Sequence, residues 1–388
     1  MSNDHGILFT AFEPSGDEHA AAVIEQLKKH QPDLKIWGTG GERMAAAGAE
    51  IIETTVDRAA MIQQTIKEIP NHLQRIDRMS KWLEEHSIIA HVPVDSPAAN
   101  WAICKLVRKK QPGAKIVHLV CPQIWAWASW RIRKLRRLTD HVLCLLPFEP
   151  KWLQERGVTG TFVGHPVFNA ENENKSNNTS SDIPDAELKL GLLPGSRMSE
   201  VTANWPTMLE VFHALHERHP QLKGAVAAVD QRVADCIKEL SSQSPYKESQ
   251  DAIQIFVNEG EQVMNQSDVI LVTSGTATLH VTGHKKPMVV MYNASRLVWH
   301  LFARYVVTTP RFSLPNLISR WQDEPDAVTE FCPHFRDAKP IIEAVDVLIC
   351  DSNAREQQRE KLNRIASAFD GHDWGSESAE KLLSLIRE

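Results

Sequence analysis

Residues 268–280 read DVILVTSGTATLH. After one aspartate the chain runs unbroken through apolar residues, as a strand buried on both faces requires, and then stops at serine, glycine and threonine. That stop marks a turn into a helix, where backbone amides lack an intrahelical acceptor and the dipole favours an anion. Ser274, Gly275 and Thr276 are therefore candidate phosphate ligands. The plainer reading, a hydroxyl cap after a buried strand, uses the same residues.

The same unit recurs outward in both directions. Before residue 171 the runs are GILFTAF (6–12), LKIWG (34–38), SIIAHVPVD (87–95), AKIVHLV (114–120), HVLCLL (141–146) and GTFVG (160–164). After residue 187 they are LKLGLLPG (188–195), LKGAVAAV (222–229), IQIFV (253–257), DVILVTS (268–274) and PMVVMY (287–292). Helix-like segments separate them, which predicts two doubly wound α/β domains with parallel sheets. ENENKSNNTSSDIPD (171–185) is too polar to build a core and reads as the linker. The expected organisation is an N-terminal Rossmann-like domain over 1–170, a linker over 171–186, a C-terminal Rossmann-like domain over 187–351 and a helical tail over 352–388. The tail is expected to pack toward the N-terminal domain, with Ser378 capping its last helix.

Composition narrows the classes. The chain has 388 residues, a net charge of -6 and 42% hydrophobic residues. It offers no global attraction to nucleic acid. Six cysteines without paired spacing fit reduced core thiols, no cluster has metal-ligand spacing, and no apolar run is long enough to span a bilayer. These features predict a cytoplasmic protein without a metal or other cofactor.

In doubly wound sheets ligands sit beyond the carboxyl ends of strands, so those turns hold the remaining candidates. In GLLPGSRMSE (191–200), Gly195 and Ser196 open a helix, and Arg197 suits a diphosphate or a pairing with Glu200. FEPSGDEHAAAVI (12–24) is a similar turn around Gly16. Asp95, in HVPVDSPAANW, could take a proton from an attacking hydroxyl, which is typically worth about a hundred- to ten-thousand-fold, or form an Asx turn before Pro97. Pro93 is awkward within a central strand. His165 in FVGHPV is either a donor contact or structural. In IWAWASWRIRKLRRLTD (124–140), Trp125, Trp127, Arg131, Arg133 and Lys134 form a basic aromatic patch suited to an anionic lipid or an acceptor phosphate. A solvated helix whose stripe of Ile132, Leu135 and Leu138 packs inward reads equally well. RLVWHLFARYVV (296–307) is apolar nearly all round and is expected to be a buried helix, with a lipid-facing surface as the alternative.

Together EPSGD (13–17), GTGGERMAAAGAE (38–50), VDSP (94–97), CPQIWAW (121–127), LPFEP (146–150), FVGHP (162–166), LLPGSRMSEV (192–201), SGTATL (274–279), PMVVMY (287–292) and SLPNL (313–317) resemble the lipid-A-disaccharide synthase family. The resemblance implies a GT-B fold, two Rossmann-like domains facing across a cleft, and an inverting, metal-free glycosyltransferase. Its donor would be UDP-2,3-diacylglucosamine and its acceptor 2,3-diacylglucosamine 1-phosphate, joined by a β-1,6 bond. Asp95, Arg197 and Asn316 match the family's catalytic positions. Peripheral contact with the inner face of the cytoplasmic membrane, and a homodimer, are compatible with it. Departures stand at His280, where the family's ribose-binding glutamate is expected, and at Phe12, Ala98, Ala99, Asn293 and MIQQTI (61–66). They keep open a GT-B enzyme for another UDP-sugar, or a catalytically silent UDP-sugar-binding paralogue.

Overall fold

Strands buried on both faces need helices on each side, and the segments between the apolar runs supply them. The computed structural model describes residues 5–55, 68–169, 188–300 and 306–387. The expected linker and MIQQTI lie outside these residues. The chain forms two compact units, Met1–Pro166 with Gly371–Glu388, and Val167–Asp370.

In the first unit, β1 (His5–Thr10), β2 (Lys35–Gly40), β3 (Glu50–Thr54), β4 (Ser87–Pro93), β5 (Lys115–Leu119), β6 (His141–Cys144) and β7 (Gly160–Phe162) build one sheet in the order β3-β2-β1-β4-β5-β6-β7. All pairings are parallel. The helices are α1 (Pro14–His30), α2 (Glu42–Ala46), α3 (Glu68–Glu85), α4 (Pro97–Lys110), α5 (Ile132–Leu138) and α6 (Glu149–Gln154).

In the second unit, β8 (Leu188–Leu193), β9 (Leu222–Ala228), β10 (Ile253–Val257), β11 (Val269–Thr273), β12 (Met288–Asn293) and β13 (Thr329–His334) run parallel in the order β10-β9-β8-β11-β12-β13. They alternate with α7 (Met198–Arg218), α8 (Gln231–Ser242), α9 (Gly260–Gln266), α10 (Ala277–Gly283), α11 (Leu314–Trp321), α12 (Ala338–Cys350) and α13 (Ser352–Ser367). Trp205 and Phe212 of α7 are fully buried beside Leu190, Val226 and Ile341. Each sheet reverses its strand order beside its first strand, at β1/β4 and at β8/β11. Those reversals are the switch points where open α/β sheets take ligands.

Two strands, β3 and β13, have no counterpart among the apolar runs. Pro93 is the last residue of β4, where its missing N–H costs the ladder little. The tail does not act as one piece. α13 packs on α10, α11 and α12 in the second unit, while the last helix, α14 (Trp374–Arg387), lies on α1 in the first. Ser378 is fully buried inside α14 and does not cap it, because the helix begins at Trp374. The described start of RLVWHLFARYVV is exposed at Arg296, Leu297 and His300, contrary to a buried helix, and residues 301–305 lie outside the described ones.

Candidate active site

Asp95 leaves the end of β4 with a left-handed backbone, φ 43°, followed by Ser96 at φ 27°. Such strain persists only where the surroundings enforce it, and here three elements do. Asn100, buried in the first turn of α4, donates its amide to the carbonyls of Val94, Asp95 and Ser96 at 3.1, 3.2 and 3.4 Å. Its oxygen accepts from Thr10 of β1 at 2.6 Å, and Thr10 lies 2.9 Å from His91 Nε2. One hydroxyl has one proton, so His91 must donate Nε2–H to Thr10. Burial, then the charges of His118 and Arg108, hold the His91 pKa down to about 3, which keeps it neutral. The Asp95 amide donates to Leu119 of β5 at 3.0 Å.

The carboxyl of Asp95 is half-buried. Burial first, then the negative charge of Glu13, raises its pKa against a hydrogen bond from the Ser96 backbone. Glu13 belongs to the turn after β1 and accepts from Ser96 Oγ at 2.6 Å. Gly16, buried in the first turn of α1, faces Val94, where an added Cβ would sit 3.7 Å from Cγ1. EPSGD and VDSP thus meet at the first switch point.

Other motif residues serve the scaffold. Asp17 is buried and accepts from the amides of Gly41, Arg43 and Met44 at 2.7, 3.2 and 3.3 Å, so it caps α2. Glu149 is buried and accepts from Trp125 Nε1 at 2.9 Å and from the Leu146 amide at 3.0 Å, tying CPQIWAW to LPFEP. Burial pushes its pKa up to about 7. His165 is buried after Gly164, whose φ of 84° and closeness to His372 (2.7 Å from an added Cβ) demand glycine.

In the second unit, the turns after β8 and β11 flank the other switch point. Gly195 has φ 116°, and an added Cβ would stand 2.8 Å from the Cβ of Glu200. Glu200 accepts from the amides of Ser196 and Arg197 at 3.2 and 3.4 Å and from Arg197 Nη1 at 2.7 Å. Two backbone amides and a guanidinium thus converge on one negative charge. The sequence alternative, an Arg197–Glu200 pair on the first helical turn, is the arrangement seen. Next door, the Ser274 amide donates to Met291 at 3.0 Å and its hydroxyl to Phe312 at 3.2 Å, while Gly275 and Thr276 are exposed.

Asn316 is a correction. Its side chain is fully buried, donating to Val328 at 3.0 Å and Glu330 at 2.9 Å and accepting from the amides of Ala327 and Val328 at 2.8 and 3.0 Å. An amide satisfied at both ends inside the fold has nothing to offer a substrate. It is a positioning residue that holds Glu330, which also accepts from the amides of Phe312 and Ser313 at 3.1 Å. Glu330 was not singled out from sequence, since it lies on the unrecognised strand β13.

Trp125 leaves the acceptor or membrane group for a similar reason: it is buried edge-on against Phe148, with its N–H on Glu149. Trp127 is 48% exposed and Trp130 is 60% exposed. Arg131 lies 4.7 Å over the Trp101 ring and 4.8 Å over Trp127, and Lys134 lies 4.8 Å over Trp101. Arg133 is exposed, whereas Leu135 and Leu138 are buried. The apolar stripe of α5 is therefore spent on the core, leaving a cationic and aromatic outer surface.

A family profile described as lipid-A-disaccharide synthetase matches residues 7–382. The chain belongs to that family. It is 31% identical over 388 residues to the lipid-A-disaccharide synthase of Anaeromyxobacter dehalogenans, covering 98% of this chain and 97% of the relative. Among solved structures it is similar to S. aureus MnaA bound to UDP, with a TM-score of 0.64, 13% identity and coverage of 99% and 98%. It is also similar to the UDP-GlcNAc 2-epimerase of Neisseria meningitidis bound to UDP-GlcNAc, with a TM-score of 0.58, 12% identity and coverage of 98% and 99%. The fold is the two-Rossmann GT-B class.

Within the lipid-A-disaccharide synthetase family, three departures acquire a physical setting. Phe12 packs on the cluster of Leu8, Trp37 and Met79 and carries Arg75 5.3 Å over its ring. Asn293 is buried and donates to Ala203 and Thr207 at 2.9 Å, while its amide donates to Asn204 at 2.8 Å, joining β12 to α7. His280 Nδ1 lies 3.4 Å from Glu261, whose other oxygen is 2.6 Å from His284 Nε2. Hydrogen bonds from His280 and then His284 hold the Glu261 carboxyl well below its ordinary range. Nothing in the structure explains Ala98 and Ala99.

Proposed function

We propose that this lipid-A-disaccharide synthase family member joins UDP-2,3-diacylglucosamine to 2,3-diacylglucosamine 1-phosphate through a β-1,6 bond and releases UDP. The observation that carries the reading is the placement of Asp95 at one switch point and of the Arg197 turn at the other. Asp95 takes the proton of the acceptor 6-hydroxyl as that oxygen attacks the anomeric carbon. The bond to UDP breaks on the opposite face, so the configuration inverts. Its pKa, raised by burial and by Glu13, gives the carboxylate more basicity than an exposed aspartate.

Negative charge develops on the departing diphosphate. The amides of Ser196 and Arg197, with the Arg197 guanidinium, already close around the Glu200 carboxylate, and the reading has the diphosphate replace it there. Gly275 and Thr276 extend the cradle at the neighbouring strand end, and His280 with Glu261 supplies hydrogen-bonding groups for the nucleoside. Such preorganised stabilisation is usually the larger contribution to rate.

No described helix is long and apolar enough to cross a membrane. The reading places the protein at the inner face of the cytoplasmic membrane, held by Trp127, Trp130, Arg131, Arg133 and Lys134. The test is incubation with both acylated substrates in detergent, with disaccharide and UDP followed by mass spectrometry. The wild type should form both, and Asp95→Asn should bind donor without turning it over. Donor binding without product in the wild type would favour the silent paralogue. Turnover of an unacylated UDP-sugar in preference would favour the other enzyme.

A further inference from the structure

On the second unit, three potential metal ligands converge where α7 ends against α12. His219 Nε2 lies 2.8 Å from Asp346 Oδ1. Cys350 Sγ lies 3.8 Å from the same His219 nitrogen and 3.7 Å from the same Asp346 oxygen. Asp346 and Cys350 are four residues apart on α12, so they share a helix face. His219 caps α7. Sequence spacing could not reveal the group, because 127 residues separate His219 from Asp346.

The distances suit a tetrahedral ion. With bonds of about 2.0–2.1 Å to nitrogen and oxygen and about 2.3 Å to sulfur, ligand atoms stand about 3.3 Å apart for the nitrogen–oxygen pair and about 3.6 Å for each sulfur pair. Both sulfur separations already match within a few tenths of an ångström, and the nitrogen–oxygen pair needs only to relax from its hydrogen bond. Cys350 is exposed and His219 and Asp346 are half-buried, so the group is reachable from solvent. The remaining Asp346 oxygen accepts from Arg218 Nη1 at 2.7 Å, which fixes the carboxylate's orientation. Among the described residues the other candidate cluster, Cys121, Cys144 and Glu149, is fully buried, and both Glu149 oxygens are already engaged.

We propose that His219, Asp346 and Cys350 form a surface site for a thiophilic divalent cation, zinc above all, with one open position. Imidazole, carboxylate and thiolate together select zinc over magnesium, which prefers an all-oxygen shell. Binding breaks the Cys350 S–H bond, forms a metal–sulfur bond and releases the proton to solvent.

The test uses the full chain, treated with chelator under reducing conditions and titrated with zinc by calorimetry and with cobalt by absorption. One zinc per chain is expected, together with sulfur-to-cobalt charge-transfer absorption in the near ultraviolet. Cys350→Ser should abolish that absorption and weaken zinc binding at least tenfold. Asp346→Asn should weaken it too, and gives a second reading should the first variant fold poorly. Absence of the cobalt–sulfur band in the wild type, or an unchanged band and affinity in Cys350→Ser, would overturn the proposal.

Discussion

At the scale of single residues, the fold separates groups left at the strand-end turns from groups buried within the scaffold. The proposed reaction needs Asp95 ionised as its base, and burial followed by Glu13 raises its pKa. The acid limb of kcat/KM should therefore lie above the ordinary carboxylate range, and Glu13→Gln, by removing a neighbouring negative charge, should move it down. A pH–rate profile unchanged by that substitution would remove Glu13 from the account. Asn316→Ala should lower stability by about 1–3 kcal/mol, because it strands the buried amides of Ala327 and Val328 and the half-buried Glu330. Thermal unfolding measures this, and an unaltered melting temperature would contradict the positioning role. The positions of Asp95, Arg197 and the SGTAT turn at strand ends were legible in sequence because strand ends are local features. The burial of Asn316 and Trp125 was not, since it depends on partners 14 and 24 residues away.

At the scale of elements, eleven apolar runs correspond to strands, and the two missed strands share a cause. β3 and β13 are sheet edges with mostly half-buried residues, EIIET and TEFCPH, so neither needed an unbroken apolar run. One connection carries a pH signature. Glu149 ties the turn after β5 to the start of α6, and burial pushes its pKa up from 4.5 to about 7. The folded state therefore holds that proton more tightly than the unfolded chain. The stability it contributes is fully present below pH 4.5 and disappears as pH rises through about 7, at roughly 1.4 kcal/mol per unit. Glu149→Gln should flatten that slope in denaturant titrations across this window. Gly195→Ala should raise the donor KM, since φ 116° and the Glu200 Cβ both resist a methyl group and the turn must shift. An unaffected donor KM would mean that the turn does not hold the nucleotide.

At the scale of the whole molecule, a chain of net charge -6 carries a local cationic surface at Arg131, Arg133, Lys134, Arg136 and Arg137. Attraction to an anionic bilayer would have to be short-ranged, since screening acts within about 8 Å at physiological salt. Arg133→Glu with Lys134→Glu should reduce sedimentation with anionic vesicles several-fold and flatten its salt dependence, while detergent-dispersed substrates still turn over. Equal sedimentation of wild type and variant would rule out this surface as the membrane contact. The chain's own path has a further consequence. The first unit borrows α14 from the far end of the polypeptide, whereas Val167–Asp370 is one uninterrupted stretch. Synthesis of the whole second unit therefore falls between the two parts of the first, and the docking face of α1 stays uncovered until α14 has been made.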